Sequence, residues 1–376
     1  MSKLDELIRE LCPDGVEAKK LKDFLVIKNG SDYKSFGTGD YPVYGSGGIM
    51  TYIDRYAYDK PSVLIPRKGS IDKLYYVEKP FWNVDTIFYT EIDTTKAIPR
   101  YVYYCLQQKH LEEYNTAGGV PSLTQRVLNN IEILVPPLGI QREIVRILDN
   151  FTNLTAELTA ELTARQKQYA FYRNKLLTFG KIEGARIERI PLGDIGSICM
   201  CKRILKSQTN TVGGVPFYKI GTFGKKADSY ISQETFDEYR SKYNFPKKGD
   251  VLISAAGTIG RTVVYDGEPA YFQDSNIVWI DNDESVVLNS YLRYCYELKP
   301  WKASEGGTIP RLYNDNIAKA VIAVPPIEEQ KRIVSILDRF DAICNDLTSG
   351  LPAEIEARQK QYEHYRDRLL SFKELN

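Results

Sequence analysis

The stretch from 136 to 179, PPLGIQREIVRILDNFTNLTAELTAELTARQKQYAFYRNKLLTF, constrains this chain more than any other, because the chain carries it twice. From 325 to 372 it reads PPIEEQKRIVSILDRFDAICNDLTSGLPAEIEARQKQYEHYRDRLLSF. Gln141 and Gln330 stand 189 positions apart, as do Asp149 and Asp338, whereas Tyr169 and Tyr362 stand 193 apart, so the second copy holds four extra residues. In the first copy Ile144, Leu148, Phe151, Leu158, Leu162, Tyr169, Tyr172, Leu176 and Phe179 fall on alternating steps of four and three, interrupted only by Thr155 and Arg165. A recurrence of about 3.5 residues is the pattern of a helix packed along another helix. The second copy keeps it through Ile333, Leu337, Phe340, Cys344, Leu347 and Leu351, then steps by four again to Ile355 before Tyr362, Tyr365, Leu369 and Phe372. That double step is an inserted turn. With Gly350 and Pro352 beside it, it predicts a kink, or a break at which Pro352 opens a new helix. Unbroken, Gln141 to Phe179 would span about 58 Å at ~1.5 Å per residue. Neither seam can stay bare, and the other copy is the nearest complement, so the expectation is an antiparallel intrachain pair.

Within the first helix Thr155-Ala156-Glu157-Leu158 is followed by Thr159-Ala160-Glu161-Leu162. Four residues turn a helix by about 400° and lengthen it by about 6 Å. Such a tetrad changes length while keeping its buried face; it also reads simply as a run of good helix formers.

The segments between the helical copies repeat too. Residues 2–12, SKLDELIRELC, read as a short amphipathic helix stopped by Pro13-Asp14-Gly15. A charged extended stretch then leads to Leu21-Lys22-Asp23, echoed by IERIPLGD at 187–194. YPVYGSGG at 41–48 is answered by GVPFYKIG at 214–221, and SVLIPRKGS by DVLISAAGTIGRTVVY at 250–265. FWNVDTIFYT at 81–90 is answered by YFQDSNIVWI at 271–280, and the helix PRYVYYCLQQK at 99–109 by SYLRYCYEL at 290–298. TAGGVPSLT at 116–124 is answered by EGGTIPRLY at 305–313. The predicted layout is an N-terminal helix (1–15), a first domain (16–135), a helical region (136–184), a second domain (185–324) and a second helical region (325–376). The fold class is α+β: two similar mixed α/β domains joined by two long helices forming an antiparallel intrachain coiled coil. The copies differ mainly in loops, where binding differences reside.

Several chemistries lack material. No GxxxxGK[ST] loop is present, and each Pro-Pro pair follows a valine and precedes Leu138 or Ile327, which does not fit the Asn/Asp-Pro-Pro-aromatic motif of an amino-methyltransferase. Only His110 and His364 exist, neither beside a candidate nucleophile, and GxSxG is absent. The six cysteines form no CxxC pair, so neither structural zinc nor a disulfide framework is expected. No apolar run reaches about 18 residues and no signal-peptide core opens the chain, so a cytoplasmic protein without a membrane partner is expected.

Charge is balanced overall, at 50 basic and 49 acidic residues, but not locally. From 202 to 261 eleven basic side chains meet five acidic ones, whereas from 262 to 319 nine acids face five bases. A basic face on a neutral domain suits phosphate contact through counterion release, and a solvated lysine-rich rim has the same composition. The candidates there are Lys202, Arg203, Lys206, Lys219, Lys225 and Arg261, with Ser254 and Thr258 in the turn beside them. Base edges are read by Arg or Lys on guanine and by Asn or Gln on adenine. Gln273 and Asn276, flanking Asp274 and Ser275, lie between two strand-like runs and fit that role. Trp82, Asn83 and Asp85 are assigned the matching place in the first domain, although such residues also cap turns. Arg67, Lys68, Ser70 and Lys73 form a basic loop there, and Tyr44 leads into the glycine-rich Gly45–Gly48 turn.

Taken together, the domain order, the Pro-Pro approach, the duplicated helix and the TAEL tetrads resemble the specificity subunit of a type I restriction–modification system over nearly the whole chain. ILDNF before TAELTAEL, RQKQY, and YRDRLLSF near the end resemble the IC branch in particular. The resemblance implies a non-catalytic reader with no cofactor of its own. Each recognition domain would grip one half of a split, asymmetric double-stranded DNA target, and the paired helices would act as a ruler. Those helices would also dock two modification subunits, which methylate adenine N6 with S-adenosylmethionine. Restriction subunits would join for ATP- and Mg-dependent translocation and cleavage. Ile144, Leu148, Leu158, Leu162, Tyr169, Ile333, Leu337, Tyr362 and Leu369 are the expected spacer and docking positions. The competing expectations are a coiled-coil adaptor whose globular domains bind protein, and an autonomous methyltransferase, which the missing motif disfavours.

Overall fold

The structure, a computed structural model, describes residues 2–115, 118–179, 187–302 and 311–375. The loops TAGGVPSLT and EGGTIPRLY fall partly outside the described residues. The chain divides into two units, Met1–Thr159 with Glu354–Asn376, and Ala160–Ala353.

In chain order the first unit has α1 (Lys3–Leu11), β1 (Ala18–Lys20), β2 (Leu25–Lys28), β3 (Thr38–Gly45), β4 (Gly48–Ile53), β5 (Ser62–Pro66) and β6 (Tyr75–Val77). It continues with β7 (Trp82–Asn83), β8 (Ile87–Ile92), α2 (Pro99–Gln108), α3 (Gln125–Asn129), β9 (Glu132–Leu134) and the start of α4 (Leu138–Thr178). The second unit holds the end of α4, then β10 (Glu188–Pro191), α5 (Leu192–Ile195), β11 (Ser197–Cys199), β12 (Val215–Tyr218), β13 (Tyr230–Ile231) and α6 (Gln233–Lys242). After these come β14 (Val251–Ser254), β15 (Thr262–Val264), β16 (Tyr271–Phe272), β17 (Ile277–Asp281), α7 (Asn289–Glu297), α8 (Asn314–Ala318), β18 (Val321–Val324) and α9 (Ile327–Asn345). Helix α10 (Leu351–Leu369) begins in the second unit and belongs to the first from Glu354 onward.

The repeat seen in the sequence is a repeat of topology. The first unit has sheets ordered β2-β8-β5-β6, β4-β3-β7 and β1-β9; the second has β11-β17-β14-β15, β13-β12-β16 and β10-β18, the same orders shifted by nine strands. The central strands β5 (SVLIP) and β14 (VLIS) are buried at every position, which is why they read as unbroken apolar runs rather than alternating ones. The charged approach to each domain pairs with the strand before its Pro-Pro, so Ala18 faces Leu134 and Glu188 faces Val324. Leu21 and Leu192 are then fully buried. Part of the extra length of the second unit is helical, in α6, capped by the Ser232 hydroxyl accepting from Thr235 N–H.

Inside each unit a segment of α4 packs on the other helical copy. In the first, Phe151 stacks on Tyr365 with ring centroids 5.2 Å apart, and Ile144, Leu148, Tyr362 and Leu370 share one core, with Leu369 packed against it. In the second, Tyr172 stacks on Phe340 at 5.8 Å, Tyr169 lies 6.2 Å from the same ring, and Leu162 packs with Ile333, Leu337 and Cys344. The threonines of the tetrads turn inward on their own helix: Thr155 and Thr159 donate to the carbonyls of Phe151 and Thr155, at 3.0 and 2.8 Å. Leu158 is half-buried.

The second copy breaks where the stutter falls. Helix α9 stops at Asn345, and α10 starts at Leu351 with Pro352 in its first turn, where its missing N–H costs nothing. The Asp346 carboxylate accepts from the Thr348 N–H and hydroxyl and from the Ser349 hydroxyl, bonds that hold its pKa well below the usual carboxylate range. The heptad seam places Leu347 among the buried positions; instead it sits in this turn and is 76% exposed, because the turn spends those residues on closure rather than on packing. A Cβ on Gly350 would lie 2.5 Å from the Ala342 carbonyl oxygen and 2.7 Å from that of Asp346. Gly350→Ala is therefore expected to lower stability by about 1–3 kcal/mol, the usual cost of overpacking. Gly47→Ala, which meets nothing within 4 Å, is expected to stay within about 0.5 kcal/mol. Urea midpoints of the two variants check this; equal midpoints would refute it.

Candidate nucleic-acid interface

Each domain is riveted to its helix by the same buried amide. The Gln141 side chain accepts from Ile98 N–H (2.8 Å) and donates to the carbonyls of Lys96 (3.0 Å) and Pro136 (2.7 Å). Gln330 accepts from Leu288 N–H (2.9 Å) and donates to Val286 and Pro325 (both 2.8 Å). Both glutamines are fully buried. A second rivet follows two turns on: Tyr104 donates to Asp149, which also takes Arg100 at 2.8 Å, and Tyr294 donates to Asp338 at 2.5 Å while Arg293 bonds Asp341. Burial raises the Tyr104 phenol to about 12, so it stays a donor across the physiological range.

On this frame, backbone hydrogen bonds define equivalent positions in the two domains. Val84 N–H donates to Tyr44 O, and Gln273 N–H to Tyr218 O. Arg67 N–H donates to Thr86 O, and Ala255 N–H to Asn276 O; Leu123 N–H donates to Arg67 O, and Leu312 N–H to Ala255 O. Lys68 bridges Ser122 where Ala256 bridges Arg311. So Val84 corresponds to Gln273, Thr86 to Asn276, Arg67 and Lys68 to Ala255 and Ala256, and Ser122 to Arg311.

In the second unit these loops enclose a cleft of about 660 Å³ lined by Arg203, Lys206, Lys219, Gln273, Asn276 and Arg311, with Thr209, Asn210, Thr211 and the carboxylates Asp228 and Asp274. Five residues expected from sequence therefore converge: Arg203, Lys206, Lys219, Gln273 and Asn276. Arg203 pairs with Asp274 and Lys219 with Asp228, both at 2.8 Å, while Lys206 has no ion-pair partner among the described residues. The Gln273 Oε1 accepts from Ile220 N–H at 3.0 Å, which fixes the amide plane and leaves its NH₂ group without a partner among the described residues. Arg311 donates to the Asn276 Oδ1 at 3.1 Å. Arg311 and Asn210 lie outside the set expected from sequence. Arg311 had a signal, since EGGTIPRLY aligns it with Ser122 of TAGGVPSLT, but only strand pairing brings it beside Asn276.

In the first unit the basic loop lies against the glycine-rich turn. Lys68 and Lys73 are exposed; Ser70 is half-buried, and the Arg67 guanidinium lies 5.8 Å from the Phe88 ring. Ser46 N–H donates to Thr86 Oγ1 at 3.3 Å, and the Tyr75 hydroxyl to Ser46 O at 3.1 Å. Tyr44 is half-buried against Tyr75 and Phe81 and lines a cleft of about 610 Å³ with Tyr41, Tyr52 and Tyr76.

Other expected contacts are placed differently. Asn83 is fully buried and donates to Ile87 O at 2.8 Å. Register explains it: Tyr44 faces Asn83 as Tyr218 faces Phe272, so Asn83 corresponds to a core phenylalanine and not to Gln273. Ser254 is 2% exposed, donates to Thr258 O at 2.5 Å and accepts from Arg261 N–H at 2.8 Å; it locks a turn that leaves Thr258 exposed outside the cleft. Arg261 is a brace, donating to Phe223 O at 2.9 Å. Trp82 donates to Ser31 O at 2.9 Å and packs edge-on against Phe36. Asp85 is exposed. Lys225 lines a separate hollow of about 220 Å³ with Tyr218, Phe223 and Phe272, and Lys202 lies over the Tyr243 ring at 5.1 Å.

The model of the type I restriction modification DNA specificity domain matches this chain twice, over residues 13–165 and 186–357. The chain belongs to the type I restriction–modification DNA specificity family. It is 49% identical over 347 residues to a putative type I restriction enzyme specificity subunit of Haemophilus influenzae, covering 89% of each chain. It is 33% identical to the EcoR124I/EcoR124II specificity subunit of Escherichia coli over 310 residues, 75% of this chain and 73% of that one, in keeping with the IC branch. The solved S subunit from M. genitalium has the same fold, with a TM-score of 0.58 at 15% identity and 94% of both chains covered. Family membership supports the DNA-recognition role and gives no support to the adaptor alternative. No described helix of this specificity subunit is long and apolar enough to cross a membrane.

Proposed function

We propose that each unit of this specificity subunit reads one half of a split, asymmetric duplex target, and that the chain performs no chemistry itself. The observation that carries this is the common backbone frame bearing unlike side chains: Arg67, Lys68, Val84, Thr86 and Ser122 in one unit, Ala255, Ala256, Gln273, Asn276 and Arg311 in the other. A scaffold kept to the level of single hydrogen bonds, with its loop chemistry exchanged, suits two readers of different sequences. On this reading the helical copies dock two modification subunits, which methylate adenine N6 from S-adenosylmethionine. Restriction subunits supply ATP- and Mg-dependent cleavage, and the assembly works in the cytoplasm.

Mapping methylated adenines in cells with and without this gene tests the reading: a two-part motif that vanishes with the gene is expected. Deleting Thr159–Leu162 removes about 6 Å of α4, nearly two base-pair steps of about 3.4 Å. The gap between half-sites is expected to shorten by about one to two base pairs with both half-sites unchanged. An unaltered gap in the methylation motif would sink the ruler.

A further inference from the structure

The start of β4, just past the β3–β4 turn, presents two large apolar side chains to solvent in sequence neighbours. Ile49 is 50% and Met50 57% exposed. A regular strand sends neighbours to opposite faces, so one of the two would be turned inward. Here a bulge intervenes: Tyr44 faces Ile49 and Val43 faces Thr51, which leaves Met50 without a partner across the ladder. Bulges of this kind re-aim a side chain. Gly45 makes room for it, since a Cβ there would lie 2.7 Å from the Met50 sulfur. The cost of two wet hydrophobes thus comes with a backbone built to expose them.

Their surroundings say what they face. The turn lies beside the basic loop, where a Cβ on Gly69 would be 3.7 Å from Ser46 Oγ, and Tyr75, on the strand that follows that loop, donates to Ser46 O at 3.1 Å. Lys68 and Lys73 on that loop are exposed and have no ion-pair partner among the described residues. An apolar tip beside unpaired cations suits a polyanion that carries apolar groups between its charges. In the second unit the chain just beyond Tyr218 presents Lys219, Lys225 and Lys226 instead, and this matching stretch has no exposed large apolar pair. The major groove admits a two-stranded β-ribbon, and the apolar group it displays is the thymine 5-methyl.

We propose that Ile49 and Met50 are specificity-determining contacts that read the 5-methyl group of a thymine in the major groove of the first unit's half-site. This rests on the reading of that unit as a half-site reader. The test uses the full chain in its modification complex and a duplex bearing the mapped target, with each thymine of that half-site replaced in turn by deoxyuridine, which lacks only the methyl. Wild type is expected to bind about four-fold more weakly at one position, the worth of one buried methyl. Met50→Ala or Ile49→Ala is expected to lose a similar factor on the thymine duplex and nothing more on the uridine duplex, with an unchanged salt slope. Met50→Leu is expected to restore the methyl dependence. A uridine penalty that persists in both alanine variants, or a half-site without thymine on either strand, overturns the proposal. If wild type shows no target preference at all, the half-site reading itself has failed, a separate result.

Discussion

Replacing Arg203, Lys206 and Lys219 together by alanine is expected to flatten the dependence of log K on log salt by about 2.7, at about 0.9 for each phosphate left without its cation. At ~0.1 M salt that corresponds to a drop of about two to three orders of magnitude in affinity. The three cations line one cleft of the second unit. Two already sit beside carboxylates, Lys219 by Asp228 in an exposed pair and Arg203, itself exposed, by the mostly buried Asp274. An exposed pair is worth at most about 1 kcal/mol and yields readily to a better anion. Removing the cations leaves both carboxylates facing the phosphates, so repulsion weakens binding further. Because phosphate contacts carry no sequence information, the preferred bases of the second half-site should not change. Filter binding of the triple variant from low to moderate salt gives the slope; a slope equal to that of wild type would show that DNA does not pass through this cleft.

Replacing Gln330 by leucine is expected to lower the unfolding free energy by about 2–4 kcal/mol, and Gln141→Leu by a similar amount. Leucine approaches the bulk but satisfies none of the bonds, stranding Leu288 N–H and the carbonyls of Val286 and Pro325 in one case. In the other it strands Ile98 N–H and the carbonyls of Lys96 and Pro136. A buried polar group left unpaired costs about 1–3 kcal/mol. Denaturant melts of the two variants measure this, and midpoints at the wild-type value would mean that the rivets contribute little.

Much of the architecture is open to reading because a helix and a strand print their periods locally. The apolar recurrence along Ile144–Phe179, the stutter with Gly350 and Pro352, and the ordered echoes between domains need no coordinates. The candidate interface is legible in part. Chemistry and loop position single out Arg203, Lys206, Lys219, Gln273 and Asn276, and these line one cleft. The same rule singles out Asn83 and Ser254, which are core and turn residues. Their side chains are of the right type, but strand register turns them inward. Arg311 escapes that rule because its neighbour Asn276 lies 35 residues away in sequence.

Two like units and two helical copies are already written in the order of the residues, since duplication and period are properties of adjacent positions. Three-dimensional pairing was needed to show which loop side chains share a cleft, why Gln141 and Gln330 recur, and that a bulge turns Met50 outward beside Ile49. Those outcomes depend on which strands pair and in what register, and pairing is settled by burial summed over a whole domain rather than by any local stretch.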